Sequence, residues 1–340
     1  MPYIDTTLVK AVVKAKAKIQ QNETRQKLTG ALDVAFRDQN TILSASELNR
    51  IKKSKNQPTE IFVLGKNTNA VGTSRACSAT GNGGSRKIAP VYDTISAGFQ
   101  ISHDEIAENE FAHQEILAHE LAEAMRRIDE GLDAAAITAL EARISNGTAT
   151  VPYTAAAGVI TVPNADHTVT GTNLIAPYMS KLKSQMAFDN YTGLQLISDP
   201  ASMDLIDRIA NQGNGNSLNN QFQIAGYGLS FSNSLIAAGE YSRAYVLPIG
   251  HFAITTWSKN FATGKSKDLG NDKWMTIPHP TRPGVMLDVK YQAACVDNSG
   301  TTPGAEDDLS ESWVISVDYS FLGAGDGLTD TGIRRLSLAL

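Results

Sequence analysis

Apolar positions recur at helical spacing through one long stretch of the chain: Leu117, Leu121, Met125, Ile128, Leu132, Leu140 and Ile144, with alanines filling the turns between them. Ser102 and Glu105 have capping-box spacing at its start, and Asn146 with Gly147 supplies a stop, so the pattern predicts one helix over residues 103–145. Some forty residues in a helix make a rod of roughly 60 Å, about twice the diameter of a small domain. A compact monomer needs such a rod only if other elements are arranged along it.

Ahead of the rod, residues 1–55 read as helical pieces rich in Lys and Ala, broken at Gly30 and around Ser44–Ser46. They show no apolar stripe wide enough for a core of their own, so they are expected to pack on something else. From Glu60 the character changes: EIFVLG is a short strand, and KIAPVYDTISAGFQIS supplies one or two more. Between them, GKNTNAVGTSRACSATGNGGSRK is too rich in Gly, Ser, Thr and Asn to bury a core. It predicts a protruding, hairpin-like loop held where it finds a partner.

Beyond Gly147 the pattern alternates. VPYTAAAGVITVP and GLQLIS are strand-like, Asn173 can cap a helix from Leu174 to Ala187, and Asp199 with Pro200 opens a helix through Ile209. This is an α/β region. From Gly226 strands dominate: GYGLSFS, then the long YSRAYVLPIGHFAITTW, PGVMLDVKYQAACV and ESWVISVDYSFLG, rich in β-branched and aromatic residues. No internal repeat of fixed period is visible.

A length of 340 residues exceeds the usual single core and predicts two subdomains sharing an interface. Hydrophobic residues at 42% and charged residues at 19% mark a folded chain. Cys77 and Cys295 are too few for a disulfide framework or metal cluster, which predicts buried thiols in a reducing compartment. No apolar run reaches membrane-spanning length and the N-terminus lacks a leader pattern, so cytoplasmic synthesis is expected. The formal charge of −5 is uneven. Residues 1–55 hold eleven Lys and Arg against five Asp and Glu, a balance of +6, and the remainder carries −11. Such a basic arm suits either nucleic acid or the acidic body of a neighbouring copy.

Motifs that could carry chemistry fall short of it. AHELAEA is one ligand away from a zinc-protease helix: His119 and Glu120 are in place, but Glu123 stands where the second histidine belongs. His113, six residues before His119, points to another side of the helix and does not replace it. Gly264, Lys265 and Ser266 match the tail of a phosphate loop, but Lys259 occupies the position of its first glycine and no helix follows; a solvated loop is expected at 262–268. Glu306, Asp307 and Asp308 match no calcium-loop spacing, and the glycines of 81–84 suit flexibility better than a phosphate cradle. The histidines form no Ser/His/Asp or Cys/His constellation, so neither catalysis nor a cofactor is predicted.

The order of elements, together with the phrases EIFVLGKNT, RRIDEGLDAAAITALEARISNG and LQLISDPASMDLI, resembles the major capsid proteins of tailed bacteriophages, the Hong Kong ninety-seven-type fold. The resemblance covers most of the chain and implies an α+β capsid fold. It places an N-terminal arm at 1–55, an extension loop at 56–102, a spine helix at 103–147 and an axial α/β domain at 148–244. Residues 245–340 then supply the late strands of the peripheral domain and a return to the axial domain. The implied function is a non-enzymatic shell subunit of the virion, assembled in the host cytoplasm into pentamers and hexamers around double-stranded DNA that it does not bind sequence-specifically. The implied partners are further copies of the chain, a scaffolding protein, a portal and a decoration protein. Lys66, Arg75, Arg86 and Lys87, the cations in and beside the loop, are the candidate inter-subunit contacts. Some relatives cross-link loop lysines to a neighbour's asparagines, but the sequence identifies no such partner for Lys66. The alternatives are an encapsulin-like compartment and a metal-dependent hydrolase using His119 and Glu120.

Overall fold

The computed structural model describes residues 2–21, 26–53, 61–64, 85–102, 113–144, 166–170, 183, 186–187, 189–202, 227–235, 240–259, 267–269, 272–296, 308–326 and 331–339. Four helices come first: α1 (Pro2–Gln20), α2 (Gly30–Arg37), α3 (Gln39–Ile42) and α4 (Ala45–Lys53). The short strands β1 (Ile61–Leu64) and β2 (Ser85–Ile88) pair antiparallel as a two-stranded sheet of their own. Strand β3 (Asp93–Ser102) leads to the long helix α5 (His113–Glu141).

The apolar stripe of α5 is the centre of the core. Leu117, Leu121, Met125, Ile128, Leu132 and Leu140 are all buried in one cluster that extends to both large sheets. As described, α5 has 29 residues, or roughly 43 Å. It ends at Glu141, short of the predicted stop at Asn146–Gly147. Ile144 has already left the helix to form a parallel bridge with Ile333, and the Arg143 guanidinium is held by Asp326 and the Phe321 carbonyl. Ser102 is the last residue of β3, and residues 103–112 lie outside the described set.

The basic N-terminal segment packs on another element, as a stripe too narrow for its own core predicts. Leu8, Ala11, Ala15 and Ile19 recur every three or four residues, and all are buried where α1 packs along α5. Small alanines at the contact let the two helices approach closely. Helix α2 is more deeply set, with Ala31, Leu32, Val34 and Ala35 fully buried. Its first residue crosses the strand at Tyr227–Phe231 so tightly that a Cβ on Gly30 would meet the Phe231 carbonyl oxygen at 2.3 Å.

Two larger sheets flank these helices. The first holds β3, β12 (Asp308–Gly323), β11 (Met286–Val296), β10 (Asp272–Pro278) and β9 (Lys267–Leu269) in that order. Strand β8 (Phe252–Trp257) lies end to end with β11 along the edge of β12 opposite β3, since Asp318 and Tyr319 pair with both β3 and β8. On β12, Trp313, Ile315 and Val317 are buried and alternate with the exposed Val314 and half-buried Ser312 and Ser316, the pattern of a sheet covered on one face. The second sheet runs β4 (Asp166–Thr170), β13 (Arg334–Ala339), β7 (Glu240–Pro248), β5 (Leu194–Ser198), β6 (Tyr227–Phe231), with parallel pairs β4/β13 and β5/β6. Every residue of β5 is buried.

YSRAYVLPIGHFAITTW, which reads as one long strand, is divided between the two sheets. Pro248 ends β7, Gly250 turns with φ at +79°, and β8 starts at Phe252 in the other sheet. The Gly250 amide donates to Asp38 at 2.7 Å, and a Cβ there would meet Thr41 at 2.4 Å, so glycine is required on both conformational and steric grounds. Strands β4, β9, β10 and β13 carry weaker periodic signals and were not foreseen. Part of the predicted loop at 262–268 is the edge strand β9. At Asp199 the predicted cap is present: its carboxylate accepts from the amides of Ala201 and Ser202, opening a 3₁₀ turn at Pro200–Ser202. The predicted strand at 151–163, most of the helix at 174–187 and residues 203–209 lie outside the described set.

Leu121→Asp should destabilise the protein by about 4 kcal/mol or more, because the new carboxylate would be buried without a partner. An unchanged melting temperature would contradict the burial of this stripe.

Candidate assembly surface

The rod is fixed in place by acidic side chains on its own apolar face. Asp129 and Asp133, one turn apart, are buried beside Ile128 and Leu132. Helix α2 has no side-chain cap from Thr29. Asp133 supplies one from across the core by accepting the Leu32 amide at 3.0 Å, and its other oxygen takes the Ser232 hydroxyl. Burial pushes the Asp133 carboxyl above its usual range, although these hydrogen bonds favour its ionised form.

Asp129 faces cations. Arg282 donates to it from Nε at 2.9 Å, reaches Asp33 from Nη1 at 2.7 Å and Thr29 from Nη2 at 3.0 Å, and lies over the Phe36 ring at 5.2 Å. His279 Nε2 is 3.4 Å from the same Asp129 oxygen. Burial alone would raise this carboxyl; His279 and Arg282 outweigh it and hold the group below the ordinary carboxylate range. One residue after β10 and a turn before β11, His279 and Arg282 thus tie the first sheet to α5 and α2 at a single point.

The two ends of α5 are anchored in the same way. At the start, His113 Nε2 is 3.0 Å from Glu311 on β12, which also takes the Trp313 indole N–H at 3.3 Å. The hydrogen bond to Glu311 and its negative charge raise the His113 pKa against the opposing effect of burial. At the end, Glu141 accepts from Arg335 at 2.8 Å and from Arg243 and Tyr245, which binds the helix to β13 and β7 of the second sheet. Burial, with Glu141 alongside, pushes the Tyr245 hydroxyl well above its usual value. From sequence, His113 is named only as a ligand that falls short, and none of these residues is assigned an anchoring role. A signal existed for Asp129 and Asp133, whose positions place carboxylates inside the apolar stripe of a helix.

Against this fixed frame, the β1–β2 hairpin stands apart. Among the described residues it shares no strand ladder with either large sheet, and Arg86 pairs with Val63 and Lys87 with Phe62 across it. Lys87 is exposed. Of the four candidate contact cations, Arg86 and Lys87 are therefore adjacent on one strand, whereas Lys66 and Arg75 lie outside the described residues. At the hairpin's root, the segment leading to β3 opens onto a groove of about 490 Å³. Ala135 and Ala139 of α5 with Ala142 just past its end line one side, Tyr319 and Phe321 of β12 the other, and the exposed Val91 stands at the rim.

The metal-ligand reading gains no third ligand. His119 is exposed, Glu123 is paired with Arg126 at 2.8 Å, and His113 is engaged by Glu311. Among the described residues no three His, Cys, Asp or Glu side chains cluster as a metal site, and no helix is long and apolar enough to cross a membrane. Residues 264–266, 306 and 307 lie outside the described set, and Asp308 opens β12 opposite Val296.

No protein-family model matches this chain, and neither does any curated protein. Among solved structures it is similar to a chain of the Cyanophage A-1(L) capsid asymmetric unit, at 13% identity and a TM-score of 0.52, over 91% of this chain and 93% of that one. It also aligns with the capsid of Ralstonia phage GP4, at 8% identity over 82% of each chain and a TM-score of 0.48. A third alignment is with the holo-SrpI encapsulin complex from Synechococcus elongatus PCC 7942, at 12% identity over 75% of each chain and a TM-score of 0.40. The α+β architecture is that of a phage capsid subunit, in agreement with the resemblance drawn from the order of elements.

Asp129→Asn should cost about 3 kcal/mol in urea unfolding, the lower end for breaking a buried ion pair, because Asp33 still faces Arg282. An unchanged midpoint would refute the anchoring role. His113 gives a pH signature: with a raised folded pKa, its contribution is complete below the unfolded value of about 6.5 and is lost as pH rises through the folded one. Wild type should therefore lose more stability than His113→Gln between mildly acidic and mildly alkaline pH. Parallel melting curves for the two proteins across that range would overturn the pairing.

Proposed function

We propose that this protein is the subunit of a virion shell, assembling with copies of itself into pentamers and hexamers of an icosahedral capsid around double-stranded phage DNA. The observation that carries this reading is a β1–β2 pair that joins the ladder of neither large sheet, on a frame with the fold of a phage capsid subunit. A lone two-stranded hairpin is marginally stable in water, so contact with a neighbouring copy would supply what its own sheet lacks. Repetition around a closed ring multiplies such modest contacts, and stability then depends on subunit concentration.

In this reading residues 1–55 are the arm, 56–102 the extension loop, and the spine helix with the late strands of 245–340 the peripheral domain; residues 148–244 form the axial domain, to which the end of the chain returns. Arg86 and Lys87 lie at an inter-subunit contact, and Lys66 and Arg75 extend it along the loop. The acidic balance of −11 outside the arm argues against affinity built on phosphate contacts, which fits a container better than a sequence-specific DNA binder. The shell would be built in the host cytoplasm with a scaffolding protein and a portal, and a decoration protein could be added afterwards.

Removing residues 73–84, inside the hairpin loop, should leave thermal unfolding of the subunit nearly unchanged while abolishing rings and shells in negative-stain images. Normal particles from this deletion would sink the assignment of the loop. Particles that enclose one co-purifying protein in place of DNA would convert the reading to an encapsulin-like compartment.

A further inference from the structure

Helix α1 has two apolar sides, and the fold uses one of them. Leu8, Ala11, Ala15 and Ile19 are buried against α5, while Val9 and Val13, one turn apart on the outer side, are 62% and 66% exposed. Exposed lysines border this pair at positions 10, 14 and 16. Lys14 is 3.7 Å from Glu115 of α5, at the edge of the patch. An exposed valine alone is unremarkable on a protein surface, but two at i, i+4 bordered by three lysines, one of them already facing the Glu115 carboxylate, form a stripe of defined geometry.

We propose that the outer face of α1 is a docking surface for an acidic amphipathic helix of a separate partner protein. Apolar side chains of the partner at i, i+3 or i+4 would cover Val9 and Val13, and its carboxylates would meet Lys10, Lys14 and Lys16. Nucleic acid satisfies only half of this surface, because phosphates answer the lysines and offer nothing to the valines. A second copy of the chain also lacks the complement among its described residues. Its remaining exposed large apolar side chains, Leu28, Val91, Ile249 and Val314, lie on loops, turns and a strand, and none forms a helical stripe with an acidic rim. This inference goes beyond the shell reading and is read out on the unassembled subunit, so either can fail without the other.

The test is fluorescence anisotropy with the full-length, unassembled chain. The probe is a synthetic helical peptide of about twenty residues, long enough to hold a helix, with leucines at heptad spacing and glutamates elsewhere. A scrambled peptide of the same composition and a duplex DNA of similar length are the comparators. The striped peptide should bind more tightly than the scrambled one. The double variant Val9→Ser, Val13→Ser should weaken that binding about tenfold or more without altering thermal unfolding, since both side chains are exposed. The triple variant Lys10→Gln, Lys14→Gln, Lys16→Gln should weaken it too and flatten its salt dependence. Three results would overturn the proposal: equal binding of striped and scrambled peptides, peptide binding indifferent to the serine pair, or tighter binding of DNA that depends on the lysines alone. Self-association that the serine pair abolishes, with no peptide binding, would reassign the face to a second copy.

Discussion

Two buried carboxylates on the apolar face of α5 set the position of nearly everything else. A charge removed from water must be paired or it shifts towards neutrality, and here each solution reaches a different element. Asp129 takes Arg282 and His279 from the first sheet, and Arg282 in turn reaches Asp33 and Thr29 at the start of α2. Asp133 takes the Leu32 amide of α2 and the Ser232 hydroxyl just past β6. Hydrophobic burial of the α5 stripe would tolerate some sliding of helix against sheet. Hydrogen bonds of this kind are directional, so they fix the register that burial alone leaves loose.

The same logic recurs wherever the chain passes between sheets. Asp38 accepts from the Gly250 amide and from the Gln195 side chain, so the corner between β7 and β8 is held by the junction of α2 and α3. Asp199 binds the Arg243 amide and the Ser242 hydroxyl while capping its own turn. Arg334 and Asp189, both with fully buried side chains, form an ion pair at 3.0 Å beneath the second sheet. One apolar cluster joins the rod to both sheets, and these polar ties add directional contacts to it.

What remains outside the frame is the part expected to meet other molecules. The β1–β2 hairpin shares no ladder with either large sheet, and α1 turns valines and lysines outward. Placing a separate strand pair and one outer helix face at the periphery of the frame lets a subunit stay folded while its contacts wait for a partner.

The long helix, β1, β3, β5, β6, β11 and β12 are legible in the sequence because each rests on local periodicity, 3.6 for the rod and 2 for the strands, whereas β2 opens at Ser85 inside the run expected to be loop. The cap at Asp199 was legible for the same reason, since its partners are two and three residues away. Local pattern could not show that Pro248 and Gly250 divide one apolar run between two sheets, because β7 and β8 each look like a strand and their partners lie far along the chain. Nor could it show where α5 ends, which is set by Ile333 and Asp326 from the far end of the sequence. The sequence by itself determined the repertoire of elements, the charge asymmetry and the resemblance in their order. Only the tertiary structure decided that the basic segment belongs to the core through Leu8, Ala11, Ala15 and Ile19, and that Asp129 and Asp133 hold the frame together. Both outcomes depend on contacts between residues up to about a hundred and fifty positions apart, where periodicity carries no information.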